Sequence, residues 1–109
     1  MSKLGRLYYT LTEQIKMPKE IIMTLKTDNL IFMEKLFHYL DEDLYPYNDN
    51  IVFIFEETHI IIDVYQKCHK YSYCVSYADM NKYKTVQELV RSRLCAVSYR
   101  EDDNEKEGK

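Results

Sequence analysis

The chain has 109 residues, 46% hydrophobic and 30% charged, with a formal net charge of −3; this is one domain's worth of polypeptide with an ordinary globular balance and no room for a second core. Eleven tyrosines stand beside no tryptophan, and the only two glycines, Gly5 and Gly108, lie at the ends. Phosphate-cradling and dinucleotide loops need several glycines at fixed spacing, so those functions are excluded.

Leu4, Leu7, Tyr8, Leu11 and Ile15 recur at helical spacing and predict an amphipathic first helix that ends at Pro18. Residues 20 to 26 alternate, with Ile21, Met23 and Leu25 against Ile22, Thr24 and Lys26, which predicts a short strand. Asp28 is expected to cap a second helix whose buried stripe is Leu30, Met33, Leu36, Phe37 and Leu40, and which runs out at Asp41-Glu42-Asp43 before Pro46.

Residues 51 to 57, 60 to 66 and 71 to 78 read as three strands whose very short connections force antiparallel pairing. Turns at Thr58-His59 and His69-Lys70 place Ile51, Phe53, Phe55, Ile60, Ile62, Val64, Tyr73, Val75 and Tyr77 on one face. The other face then holds Val52, Ile54, Glu56, Ile61, Asp63, Tyr65, Lys67, Ser72, Cys74, Ser76 and Ala78. Neither turn carries the glycine that a tight hairpin favours. Thr85-Val86-Gln87-Glu88 is a capping box and opens a last helix whose stripe is Val86, Leu89, Val90, Leu94 and Val97. Residues 100 to 109 hold no apolar side chain and read as an acidic, disordered tail. The expected fold is a single α+β domain over residues 1 to 99 in the order α-β-α-β-β-β-α. Its antiparallel sheet, a three-stranded meander plus one short strand, packs against helices.

A sheet covered on one face leaves a second face to explain. Val52, Ile54, Ile61 and Tyr65 form an apolar centre there, bordered by Glu56, Asp63 and Lys67, which is the anatomy of a protein interface. Either the N-terminal helix crosses and covers this face, or it binds a protein, with a two-fold homodimer as the leading form. Charge is segregated as well. Asp41, Glu42, Asp43 and Asp49 form an acidic strip, continued by Glu56, Glu57 and Asp63, that suits a basic partner. Residues 65 to 100 are basic, and Lys70, Lys82, Lys84, Arg91 and Arg93 near Tyr71, Tyr73, Tyr83 and Tyr99 are the candidates for holding a nucleic-acid backbone while rings stack on bases. A solvated face with tyrosine bodies in the core is the bland alternative.

Metal chemistry fits poorly. Asp41 and Asp43 begin like a calcium loop, but Tyr45, Pro46 and Val52 stand where the loop needs a ligand, a glycine and a glutamate. Cys68, His69 and Cys74, with His59 and Cys95, lack zinc spacing, and Cys68 and Cys74 fall on opposite sides of the expected register. Cys68 beside His59 or His69 has no orienting third group, and His38 lies on a helix flank away from the other histidines.

No run approaches the roughly 18 to 20 apolar residues of a membrane span, the start from Met1 to Tyr9 lacks a signal core, and three cysteines without a framework suit a reducing compartment. The expectation is a cytoplasmic protein with a protein partner, no membrane association and no small-molecule cofactor. Abundant Phe, Tyr, Met, Ile, Asn and Lys suit an AT-rich genome. The reading is a small non-catalytic macromolecule-binding protein, viral or from a mobile element. It would inhibit or adapt a host protein of defence, such as a CRISPR system, or of nucleic-acid processing, from the host cell interior. The alternative is a nucleic-acid-binding homodimer using residues 65 to 100, and the third reading is a small nuclease or hydrolase.

Overall fold

A computed structural model describes residues 2 to 99, so the tail expected at 100 to 109 lies outside the described residues. The Ser2 hydroxyl accepts the Gly5 N–H at 3.0 Å and starts helix α1, Lys3–Tyr9, which widens to i→i+5 hydrogen bonding over Thr10–Gln14. Leu7, Leu11 and Ile15 are buried, whereas Leu4 and Tyr8 of the expected stripe stay exposed. The helix ends at Lys16, whose φ of 60° lets the Met17 N–H return to the Leu11 carbonyl at 2.8 Å. A left-handed residue after a helix is usually glycine, and this glycine-poor chain uses lysine.

The strand expected at 20 to 26 is a helix instead, α2, Lys19–Thr24, entered directly from Pro18. In so short a window two-residue alternation also meets helical spacing. Ile21, Ile22 and Leu25 turn together onto the core, and Met23 points to solvent. Helix α3, Thr27–His38, begins after Lys26, so Asp28 is no cap but lies in the first turn, where a carboxylate favours the helix dipole. Its expected stripe is buried throughout, and i→i+5 bonding continues over Tyr39–Leu44.

Strands β1, Asn50–Phe55, β2, His59–Gln66, and β3, His69–Ser76, form the antiparallel meander. Ile51 pairs with Val64, Phe53 with Ile62, and Ile62 with Tyr73. The turn residues are Glu57-Thr58 and Lys67-Cys68, earlier than expected. Each correction moves the pairing by an even number of residues, so both sets of facing side chains survive. Lys67 therefore leaves the strand face for the tip of a turn, with φ 55° at its first central position and its N–H donated to Asp49 Oδ2 at 2.9 Å. That φ sign is the one a II′ hairpin turn demands there.

Helix α4, Asp79–Lys82, precedes α5, Val86–Arg93, where the Thr85 hydroxyl accepts the Glu88 N–H at 3.2 Å as the capping box requires. The last helix was expected to carry Leu94 and Val97, yet it stops at Arg93, and Leu94–Tyr99 form a fourth strand, β4, antiparallel to β3. Two causes combine. Arg93 is held by Asp79 through Nε and Nη2 at 3.1 and 3.2 Å, fixing where the chain turns. The open edge of β3 also presents backbone groups that a neighbouring strand satisfies. A bulge opposite Ser72 and Tyr73 accommodates the join.

The result is an α+β fold with the sheet ordered β1-β2-β3-β4 and helices packed on one face. Ile60, Ile62, Val64, Tyr73 and Val75 meet Leu11, Met33, Leu36, Leu40 and Leu89 in the core. Tyr45 enters this layer from the 45–49 loop, its ring centroid 5.0 Å from that of Tyr71 and its hydroxyl hydrogen-bonded to that of Tyr73. Burial drives both phenols above the ordinary tyrosine value, Tyr73 further because its hydroxyl contact adds to the effect. Among the described residues no helix is long and apolar enough to cross a membrane.

Candidate binding face

The second sheet face takes no part in the core among the described residues, since every buried strand residue of that cluster belongs to the first face. The N-terminal helix packs beside α3, and its Leu7 and Leu11 join the core on the covered face. Strand geometry alone explains which side chains meet there: cross-strand partners share a face. Val52 is opposite Asp63, Ile54 opposite Ile61, and Asp63 opposite Ser72. Val52, Ile61 and Tyr65 are half-buried by their neighbours, whereas Ile54 is 40% exposed.

The expected layout, an apolar centre with a charged rim, needs correcting at Asp63. This residue is only 7% exposed and accepts the Ser72 hydroxyl at 2.7 Å, so it sits in the middle of the face as a paired buried carboxylate. Burial without that donor would be costly. The face is thus apolar toward β1 and polar toward β3, where Ser72, Cys74 and Ser76 continue it. The Cys95 thiol beside Cys74, with partial burial, raises the Cys74 pKa. Glu56 lies just beyond β1, exposed, with its N–H on the His59 carbonyl at 2.9 Å and its carbonyl accepting the Tyr77 hydroxyl at 3.0 Å.

The acidic strip is divided among local tasks. Asp41 accepts the Asn48 side-chain N–H at 3.0 Å, Asp49 caps the Lys67 turn, and Glu42 lies 3.1 Å from His38 Nδ1, while Asp43 is exposed. The basic candidates are divided too. Lys82, Lys84 and Arg91 line a shallow cleft of about 430 Å3 with Tyr83 and Glu88. Arg93 is committed to Asp79, and it and Lys82 already lie 5.5 and 5.8 Å from the Tyr83 ring centroid. Lys70 sits opposite Tyr65 at the far end of β3.

One further constellation lies outside the expected sites. Glu34, His38 and Glu42 follow at four-residue intervals and so share a helix face. They line an open cleft of about 730 Å3 with Arg6, Lys35 and Lys84. His38 Nε2 is 3.5 Å from the Thr10 hydroxyl and 4.0 Å from Glu34. The spacing was the available signal; what assembled the cleft was the meeting of α1, α3 and the start of α5.

No protein-family model, curated protein or solved structure matches this chain.

Proposed function

We propose that this protein is a small non-catalytic binding module that docks another protein on the open face of its sheet. The observation that carries the reading is Ile54, 40% exposed beside the half-buried Val52 and Ile61 on a sheet face that, among the described residues, adds no side chain to the core. Apolar surface of this kind gains on burial about 25 cal/mol per Å2. Asp49, Glu56 and Glu57 are exposed at the two ends of β1, so the occupant it fits is an apolar patch bordered by basic side chains. A domain of this size that binds without chemistry acts by blocking its partner's surface or by bridging two partners, the roles of inhibitor and adaptor.

The test starts from capture out of a lysate with and without nuclease, followed by titration of the purified partner. Ile54→Lys and Ile61→Lys are expected to weaken binding at least about tenfold, with the fold retained and Arg91→Glu neutral. Recovery of nucleic acid alone, lost on nuclease treatment and on reversal of Lys82, Lys84 and Arg91, would replace this reading with nucleic-acid binding through the Tyr83 cleft. The clustering of those three cations is what favours that second reading.

A further inference from the structure

The two edges of the sheet are β1 and β4. Every residue of β4 is exposed, with Leu94 at 47%, Val97 at 52% and Tyr99 at 61%. These three pair with Tyr73, Tyr71 and His69, and Tyr73 faces the core. They therefore stand on the helix-packed side of the sheet, where the helix layer stops short of the last strand. Leu94–Tyr99 contains no charge and no proline, the devices by which edge strands avoid pairing. Residues 100 to 109 hold no apolar side chain.

We infer that β4 pairs antiparallel with β4 of a second copy about a two-fold axis, joining two four-stranded sheets into one of eight strands. An axis perpendicular to the sheet keeps both helix layers on the same side. It brings the two Leu94, Val97 and Tyr99 stripes together on the floor between those layers, an isologous contact in which one patch serves both copies. Charge selects this edge over the other. Leu94–Tyr99 carries no charged residue, so pairing β4 with its own copy sets no like charges against each other along the strand. The same operation on β1 would set Asp49 against Glu56 and Glu57, and like charges there oppose pairing.

Sedimentation equilibrium of the full chain tests this, with twice the chain mass expected at micromolar concentration. Val97→Lys places two like charges across the seam and is expected to weaken association by roughly 100-fold, with an unchanged circular dichroism spectrum because Val97 is exposed. Ile54→Lys is expected to remain a dimer, which separates this seam from the face proposed for a foreign partner. A Val97→Lys chain that fails to fold leaves a second readout on the wild type: exchange of the Cys95 to Ser98 amides is expected to slow as concentration rises. A monomer up to about 100 μM, a range in which specific protein contacts are filled, would overturn the inference. So would dissociation by Ile54→Lys with Val97→Lys still dimeric.

Discussion

Ile60, Ile61 and Ile62 are consecutive on the central strand β2, yet the first and third are 0% and 1% exposed while the second is only half-buried. Residue type is constant and strand geometry alternates them between faces; the helix layer decides what each is worth. Ile60 and Ile62 meet Leu36 and Leu89 in the core, whereas Ile61 touches its own sheet and otherwise faces outward. One sheet thus divides its labour, with stability concentrated on the covered face and an apolar surface left on the other.

Truncation separates the faces most sharply. Ile62→Ala is expected to cost about 2–5 kcal/mol, the usual range for a large core side chain, while Ile61→Ala should cost under about 1.5 kcal/mol. Urea denaturation of both variants measures the contrast, and equal losses would break it.

The next largest effect concerns the clamp that holds α4 and α5 over the covered face. Burial raises the Asp79 pKa, but the Ser76 N–H, Arg93 and the Ser76 hydroxyl outweigh it and leave the carboxyl below its ordinary range. A depressed folded pKa adds stability that is present above the unfolded carboxylate value of about 4 and is lost as pH falls through the folded value. Asp79→Asn should therefore lower stability at neutral pH by about 1–2 kcal/mol and flatten the loss on acidification below about pH 4. A thermal melting series in pH reads both.

Tyr73→Phe is expected to cost about 1 kcal/mol, because the buried Tyr45 hydroxyl loses its partner. Here the sign is reversed. A phenol whose folded pKa is raised contributes stability below the unfolded value of about 10, which is lost as pH rises beyond it. The variant should soften alkaline unfolding, visible in the ultraviolet absorbance of tyrosinate. The smallest change touches neither face: Lys16→Gly removes a side chain from φ 60° and should stabilise by about 0.5–1 kcal/mol. A loss on that substitution would mean that the lysine stem packs in a way that outweighs its backbone strain.

Several elements were legible because their signals are local or periodic. The α3 stripe spans three helical turns, the Thr85 cap needs only four residues, and the two faces of the meander withstand even-numbered errors in the turns. Residues 20 to 26 form a helix where a strand is expected because a short alternating run satisfies two periodicities. Residues 94 to 99 form a strand where a helix is expected because their partners on β3 lie 21 to 30 residues earlier. The candidate site divides in the same way. Strand parity sets Val52, Ile54 and Ile61 on one face, but Asp63 lies in the middle of that face and not on the expected rim. Asp41, Asp49 and Arg93, expected as binding charges, each hold a neighbouring element in place. Charge along a chain carries no information on whether its partner is water or another residue, since such pairs span 7 to 18 residues here.

Composition and periodicity by themselves determined an α+β domain with one strongly apolar sheet face, and the shortage of glycine that leaves Lys16 and Lys67 in left-handed turns. Only the tertiary structure decided that the helices gather on one face, that the last strand stands uncharged at an edge, and that half the candidate charges are spent internally. The physical reason is range: helix stripes, caps and strand parity are set between near neighbours, whereas burial, ion pairing and edge exposure depend on which distant segments fold against each other.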